Sequence, residues 1–150
     1  MAKLGYATSF RDLIVYQKAR ELSLTIFKLT KQFPKEETYS LTDQIRRSSC
    51  STDAQIAETW AKRRYEKYLV SKLTDSDGEQ QETQHWIETA FNCGYISQEE
   101  AKLLLEKCAE IGRLLGGMIA KAEQFCNSSP YKIQEEQANY FIVSSLKTED

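Results

Sequence analysis

The chain has 150 residues, 41% hydrophobic and 28% charged, a balance that excludes a disordered or fibrous protein and is long enough for one core burying roughly 70% of the unfolded surface. Residues 1–75 carry 14 Lys and Arg against 9 Asp and Glu, whereas residues 76–150 carry 6 against 13, a net of +5 and −7 that sums to the overall −2. With only 6 Gly and 2 Pro, and apolar runs no longer than the few residues of Tyr140 to Val143, the composition favours long helices and excludes a transmembrane helix.

The first helix is predicted to open at Ser9, where Ser9-Phe10-Arg11-Asp12 places a hydroxyl at the N-cap and a carboxylate three residues on. Apolar residues then recur at Leu13, Tyr16, Ala19, Leu22, Ile26, Leu29 and Phe33, one stripe of a helix. Pro34 stops it, because its ring lacks an N–H and biases Phe33 away from helical geometry. After a turn over 34–39, a second helix opens at Ser40, capped in the same way with Asp43, and runs through Leu41, Ile45, Ser49, Thr52, Ile56 and Trp60. Its middle, Ser48-Ser49-Cys50-Ser51-Thr52, is small and weakly polar, so it either lets another helix come close or forms a polar ligand pocket.

A break is expected within 61–64. The third helix then carries Tyr65, Leu69, Leu73, Ser76, Gln80, Thr83, Trp86, Ile87, Ala90 and Phe91, with Gly78 as a kink or a point of tight contact. Gly94 reads as a left-handed cap after it. Ser97-Gln98-Glu99-Glu100 is a capping box for a fourth helix through Leu103, Leu104, Cys108, Ile111, Leu114, Leu115, Met118, Ile119, Ala122 and Phe125, in which Gly116-Gly117 is a soft spot. Four amphipathic helices with short connections predict an all-α, antiparallel up-down four-helix bundle over 1–126, with a C-terminal extension over 127–150 whose Tyr131, Ile133, Tyr140, Phe141, Ile142, Val143 and Leu146 make it too apolar for a solubilising end.

Catalytic and metal motifs are sparse. No glycine loop joins a strand to a helix, and the single E-x-x-H, Glu82-Thr83-Gln84-His85, is half of a di-iron site. Cys50, Cys93, Cys108 and Cys126 form no C-x-x-C pair and one histidine cannot complete a zinc set, so they read as reduced core thiols with no metal and no cofactor. A non-enzyme is expected. Met1 to Ser9 has no secretory pattern, which points to the cytoplasm.

The features that stand out are basic: Arg46 and Arg47 on the second helix, and Lys62, Arg63, Arg64, Lys67 and Lys72 around the start of the third, among Trp60, Tyr65 and Tyr68. Such cations bind phosphates without reading bases, and the aromatics can stack on unpaired bases if they are exposed. A solvated face, or neutralisation by Asp75, Asp77, Glu79 and Glu82, is the competing reading, and Trp60 and Tyr65 also fit core positions.

Phe10-Arg11-Asp12-Leu13 with Tyr16-Gln17-Lys18-Ala19, Phe33-Pro34, Leu41-x-x-Gln44-Ile45-Arg46-Arg47-Ser48, Ile56-Ala57-Glu58 and Gly94-Tyr95-Ile96 give the chain a resemblance. Over about residues 10–126 it resembles the bacterial four-helix bundle proteins that include the 23S rRNA intervening-sequence proteins and the accessory variability proteins of diversity-generating retroelements. Gln55 and Thr59 stand where members usually carry Asn and often Gly around the Ile-Ala-Glu segment. The resemblance implies a small non-enzymatic bundle that forms a homo-oligomeric ring, a pentamer. In the retroelement branch it also implies a cationic platform for RNA or DNA and a reverse transcriptase partner, with no membrane. The positions it offers for nucleic-acid contact are Arg46 and Arg47, and secondarily Lys62, Arg63, Arg64 and Lys67. The rival expectation is a protein-interaction scaffold docking through 131–146 or the acidic half, or a passenger protein with no nucleic-acid role.

Overall fold

A computed structural model describes residues 7–126, and among them helices and turns occur without a strand. A 3-10 turn over Phe10–Asp12 leads into α1 (Ile14–Thr30), and a second over Lys35–Glu37 leads into α2 (Leu41–Lys62). These are followed by α3 (Glu66–Asn92), α4 (Gln98–Ala120) and the single turn α5 (Ala122–Phe125). The extension over 127–150 lies outside the described residues.

The start and stop signals act where the chain's polar groups need them. Ser9 and Asp12 form a capping box, but it caps the 3-10 turn, and α1 begins at Ile14 after an extended Leu13. α1 ends at Thr30, short of Phe33, and the amides of Lys31, Gln32 and Phe33 close a tighter turn before Pro34. Ser40 is the N-cap of α2 without a side-chain capping bond: its hydroxyl donates instead to the Glu37 carboxylate, a charged acceptor one turn back. Gly94 has φ +78°, and the bonds from Tyr95 N to Ala90 O and from Gly94 N to Phe91 O make a Schellman cap at the end of α3. Ser97 and Glu100 close the expected capping box of α4, which continues unbroken through Gly116 and Gly117.

Inter-helix pairings show α1 antiparallel to α2, α2 to α3, and α4 to α1. Ser23 pairs with Asp53 and Thr30 with Arg46 between α1 and α2. Ser48 pairs with Thr83, and Ser76 with the Thr52 carbonyl, between α2 and α3. Lys18 pairs with Glu110 and Lys107 with Glu21 where α4 returns against α1. Leu22, Ile26, Ile45, Ile56, Leu69, Leu73, Ile87, Ile111, Leu115 and Met118 fill the core between them. This is the up-down bundle that the four apolar stripes require. At one end, the Phe33 and Tyr95 rings lie 5.5 Å apart and the Tyr95 hydroxyl donates to Glu37 at 2.9 Å, tying the two loops together.

The small stretch of α2 serves close approach. Ser48, Ser49 and Thr52 are buried, and opposite them α3 supplies Ser76 and Thr83. The Thr83 hydroxyl donates to Ser48 Oγ at 2.9 Å and Ser76 Oγ to the Thr52 carbonyl at 2.8 Å. Two of the four cysteines, Cys50 and Cys93, are exposed, which corrects the expectation of four core thiols. Cys108 and Cys126 are buried, and burial pushes the Cys108 thiol pKa up to about 12.

Gly78 is not a point of tight contact. It is exposed within the continuous α3, and a Cβ built there meets nothing within 4 Å. Gly78→Ala is therefore expected to raise stability by about 1 kcal/mol in urea unfolding, the helix-propensity difference. Gly112→Ala should give no such gain, because its Cβ would fall 2.8 Å from Gln80 Nε2, which is bonded to Asp77 at 2.8 Å.

One buried acid sits between α1 and α2. Asp53 is only 5% exposed; it accepts from Ser23 Oγ at 2.6 Å, with Arg20 Nη1 at 3.9 Å. Burial pushes its pKa up, against the opposing pull of Ser23 and Arg20. An acid whose folded pKa lies above its unfolded value binds its proton more tightly when folded, so its ionisation costs stability at neutral pH and the cost fades as pH falls through the folded pKa. Asp53→Asn is expected to melt higher than the wild type at pH 7, with the gap closing as pH falls toward the ordinary carboxylate value of 3.8.

Candidate nucleic-acid interface

The six predicted contact residues fall into two groups with different surroundings. Arg46, half-buried on α2, donates from Nε to Thr30 Oγ1 at 2.7 Å and from Nη2 to the Phe27 carbonyl at 3.4 Å, with its Cζ 4.7 Å from the centre of the Phe27 ring. Arg47 pairs with Glu82 and with Glu79 at 3.4 Å, and its Nε meets Gln44 at 3.5 Å. The hydrogen bond to Glu82 and the two nearby carboxylates hold its guanidinium pKa above the ordinary value. Glu82 in turn is held low, first by the Trp86 indole N–H donating to it at 3.0 Å and then by Arg47. Lys72 is likewise taken, by Glu58 at 2.6 Å and Gln55 at 2.9 Å.

The second group sits at the corner where α2 turns into α3. Lys62, Arg64 and Lys67 are exposed, and none makes an ion pair or side-chain hydrogen bond among the described residues. In the run 62–68 they share the surface with one carboxylate, Glu66. Arg63 differs from its neighbours: its Cζ stacks 3.5 Å from the centre of the Trp60 ring, its Nε is buried without a partner among the described residues, and burial lowers its pKa. It is a wall of the corner more than a free cation.

Trp60, Ala61, Lys62, Arg64, Tyr65 and Tyr68 line an open groove of about 400 Å³. Tyr65 and Tyr68 are 53% and 54% exposed, with their rings edge to face at 5.6 Å. The four-residue step from Tyr65 to Leu69 placed Tyr65 on the buried stripe of the third helix. The helix instead begins at Glu66 and leaves Tyr65 extended, at φ −127° and ψ 131°, as an N-cap that caps no amide. Cys126 Sγ donates to the Arg64 carbonyl at 3.4 Å and fastens the end of α5 to the same corner.

A second groove, about 510 Å³, lies between α3 and α4, where Phe91, Ala101, Leu105 and Ala109 form an apolar floor. Phe91 and Leu103, both on predicted buried stripes, are 41% and 54% exposed. The helical period alone had no means to find this face, because it reports which residues share a side and not whether another helix covers that side. His85 is exposed and packs edge to face on Trp86 at 4.6 Å, while the Glu82 carboxylate is occupied by Trp86 and Arg47. Among the described residues no group of three His, Cys, Asp or Glu side chains could hold a metal ion, and no helix is long and apolar enough to cross a membrane.

Comparison with known proteins bears on this geometry. Residues 11–117 match the family model described as 23S rRNA-intervening sequence protein. The chain is also similar to a crystal structure of a protein with unknown function from the S23 ribosomal protein family of Bacteroides thetaiotaomicron VPI-5482. The two are 27% identical with a TM-score of 0.65, over 71% of this chain and 96% of that one. A comparison with curated proteins finds no match.

Proposed function

The chain belongs to the 23S rRNA-intervening sequence protein family, and from that premise we propose that it is a non-enzymatic, cytoplasmic nucleic-acid-binding protein that works as a homo-oligomer on RNA. The observation that carries this reading is the α2–α3 corner, where Lys62, Arg64 and Lys67 stand exposed without ion pairs among the described residues while aromatic rings lie beside them. Phosphates need such unspent cations, because a guanidinium already shared between two carboxylates must lose them to gain a phosphate. Arg46 and Arg47 therefore join the interface as its scaffold, and Arg63 as its stacked wall.

Three free cations per subunit are few. Repeating the corner around a ring multiplies the contacts without any new residue, and the family resemblance implies a ring of five with a reverse transcriptase as partner in the retroelement branch. Exposed Leu24 and Phe27 on α1, and the apolar floor between α3 and α4, supply surface for such self-association. Light scattering is expected to give a mass about five times the 17.3 kDa of one chain.

Titration of labelled RNA at several salt concentrations tests the proposal: affinity should fall linearly on a log–log plot as salt rises. Arg47→Gln is expected to lower stability by less than about 1 kcal/mol, as loss of a half-exposed ion pair does, with a smaller effect on RNA affinity than loss of Lys62. The rival reading, a scaffold for another polypeptide, is favoured by the α3–α4 groove. Absence of RNA binding at low salt, or binding with no salt slope, counts against phosphate recognition.

A further inference from the structure

We infer that the α2–α3 corner selects single-stranded RNA, with an unpaired base lying against Tyr65 and Tyr68 while Lys62, Arg64 and Lys67 hold the flanking phosphates. This rests on the nucleic-acid reading above and adds to it the state of the strand. The groove contains two kinds of chemistry that point to different ligands when taken separately. Its cations favour the highest charge density available, which is a duplex, with one phosphate charge per about 1.7 Å of axis against half that density on one strand. Its aromatics favour a strand whose bases are unstacked, since paired bases hide their faces from any side chain.

The aromatic half is built to be used. Tyr65 and Tyr68 stand more than half exposed and outside the core cluster, Tyr65 on extended backbone just before α3 and Tyr68 in its first turn. Their edge-to-face contact, at an interplanar angle of 87°, leaves the ring that offers its edge with both faces clear of its partner. Trp60 is not the platform, because the Arg63 guanidinium lies 3.5 Å over its ring and Trp60 packs against the core. The groove itself is lined by Trp60, Ala61, Lys62, Arg64 and the two tyrosines, and exposed Lys67 lies between those tyrosines in the chain. Tyrosine has two soft side-chain torsions, so ordering it against a base costs little entropy, and each stacked base adds a sequence-tolerant contact.

The test is a titration of the full-length chain with a short unstructured single-stranded RNA and with the blunt duplex made from the same strand, at low and moderate salt. The single strand is expected to bind about tenfold more tightly, the worth of one stacked base, against the order that charge density alone would set. Tyr65→Ala with Tyr68→Ala should bring the single strand down to the duplex level. Tyr65→Phe with Tyr68→Phe, which retain both rings, should keep the preference, and they control for any disturbance of the α3 start. Equal or tighter duplex binding, or a single-strand preference that survives loss of both rings, overturns the inference while leaving the nucleic-acid reading standing. Failure of both RNAs to bind at low salt removes the reading and the inference together. Single-stranded DNA binding more tightly than RNA of the same sequence overturns the assignment to RNA.

Discussion

Replacing Lys62, Arg64 and Lys67 together by glutamate is expected to lower RNA affinity about a hundredfold near physiological salt and to flatten the salt dependence by about two counterions per subunit engaged. Each phosphate neutralised on a single strand releases about 0.7 of a condensed counterion, so three contacts contribute nearly two orders of magnitude at that ionic strength. The three side chains touch no carboxylate among the described residues, so their loss should leave the melting temperature close to that of the wild type. That separation is the useful part of the experiment. The same substitution at Arg47 would put a third carboxylate beside Glu79 and Glu82 and unsettle the α2–α3 contact, so a binding defect there would be confounded with a folding defect. Fluorescence anisotropy at several salt concentrations, with thermal melts of the same samples, measures both quantities. Unchanged affinity of the triple variant would remove the corner from the interface.

The difference between the two groups of cations is also where sequence reasoning reaches its limit. The spacing of Leu13 to Leu29, of Leu41 to Trp60 and of Leu103 to Phe125 is a local property, set by 3.6 residues per turn, and it suffices to find the helices and the bundle. Capping is local too, and both Ser97 and Gly94 do what their neighbours predict. An ion pair is not local. Arg47 meets carboxylates from 32 and 35 positions further along the chain, and only the antiparallel register of α2 on α3 brings them together. Asp75, Asp77, Glu79 and Glu82 were legible as a source of neutralisation, but not which cation each would take. The position of Tyr65 was missed for another reason: one residue more or less at a helix start turns a buried ring into an exposed one, and no side-chain cap marks Glu66 as the first turn.

The small-residue seam leads to the largest expected loss of stability. Ser76→Leu should destabilise the chain by about 3 kcal/mol in urea unfolding, and Ser76→Ala by about 1 kcal/mol. Ser76 is fully buried, and its hydroxyl reaches the Thr52 main-chain carbonyl at 2.8 Å, so at this point the α3 side chain abuts the backbone of α2. Alanine removes that hydrogen bond and leaves the spacing intact. A leucine adds two heavy atoms where a polypeptide backbone already stands, and it takes away the carbonyl's extra donor as well. Relief requires α2 and α3 to separate along their length. That would pull apart the Ser48–Thr83 bond two turns away and the Arg47–Glu82 pair beside it. Thr83 keeps its own bond to the Glu79 carbonyl at 2.9 Å, so the loss is one of packing distance more than of orphaned polar groups. The same separation would splay the turn between Lys62 and Glu66, so the leucine variant should lose RNA affinity where the alanine variant keeps it. Retained affinity in a leucine variant that still folds would mean that the corner does not depend on the register of the two helices that make it.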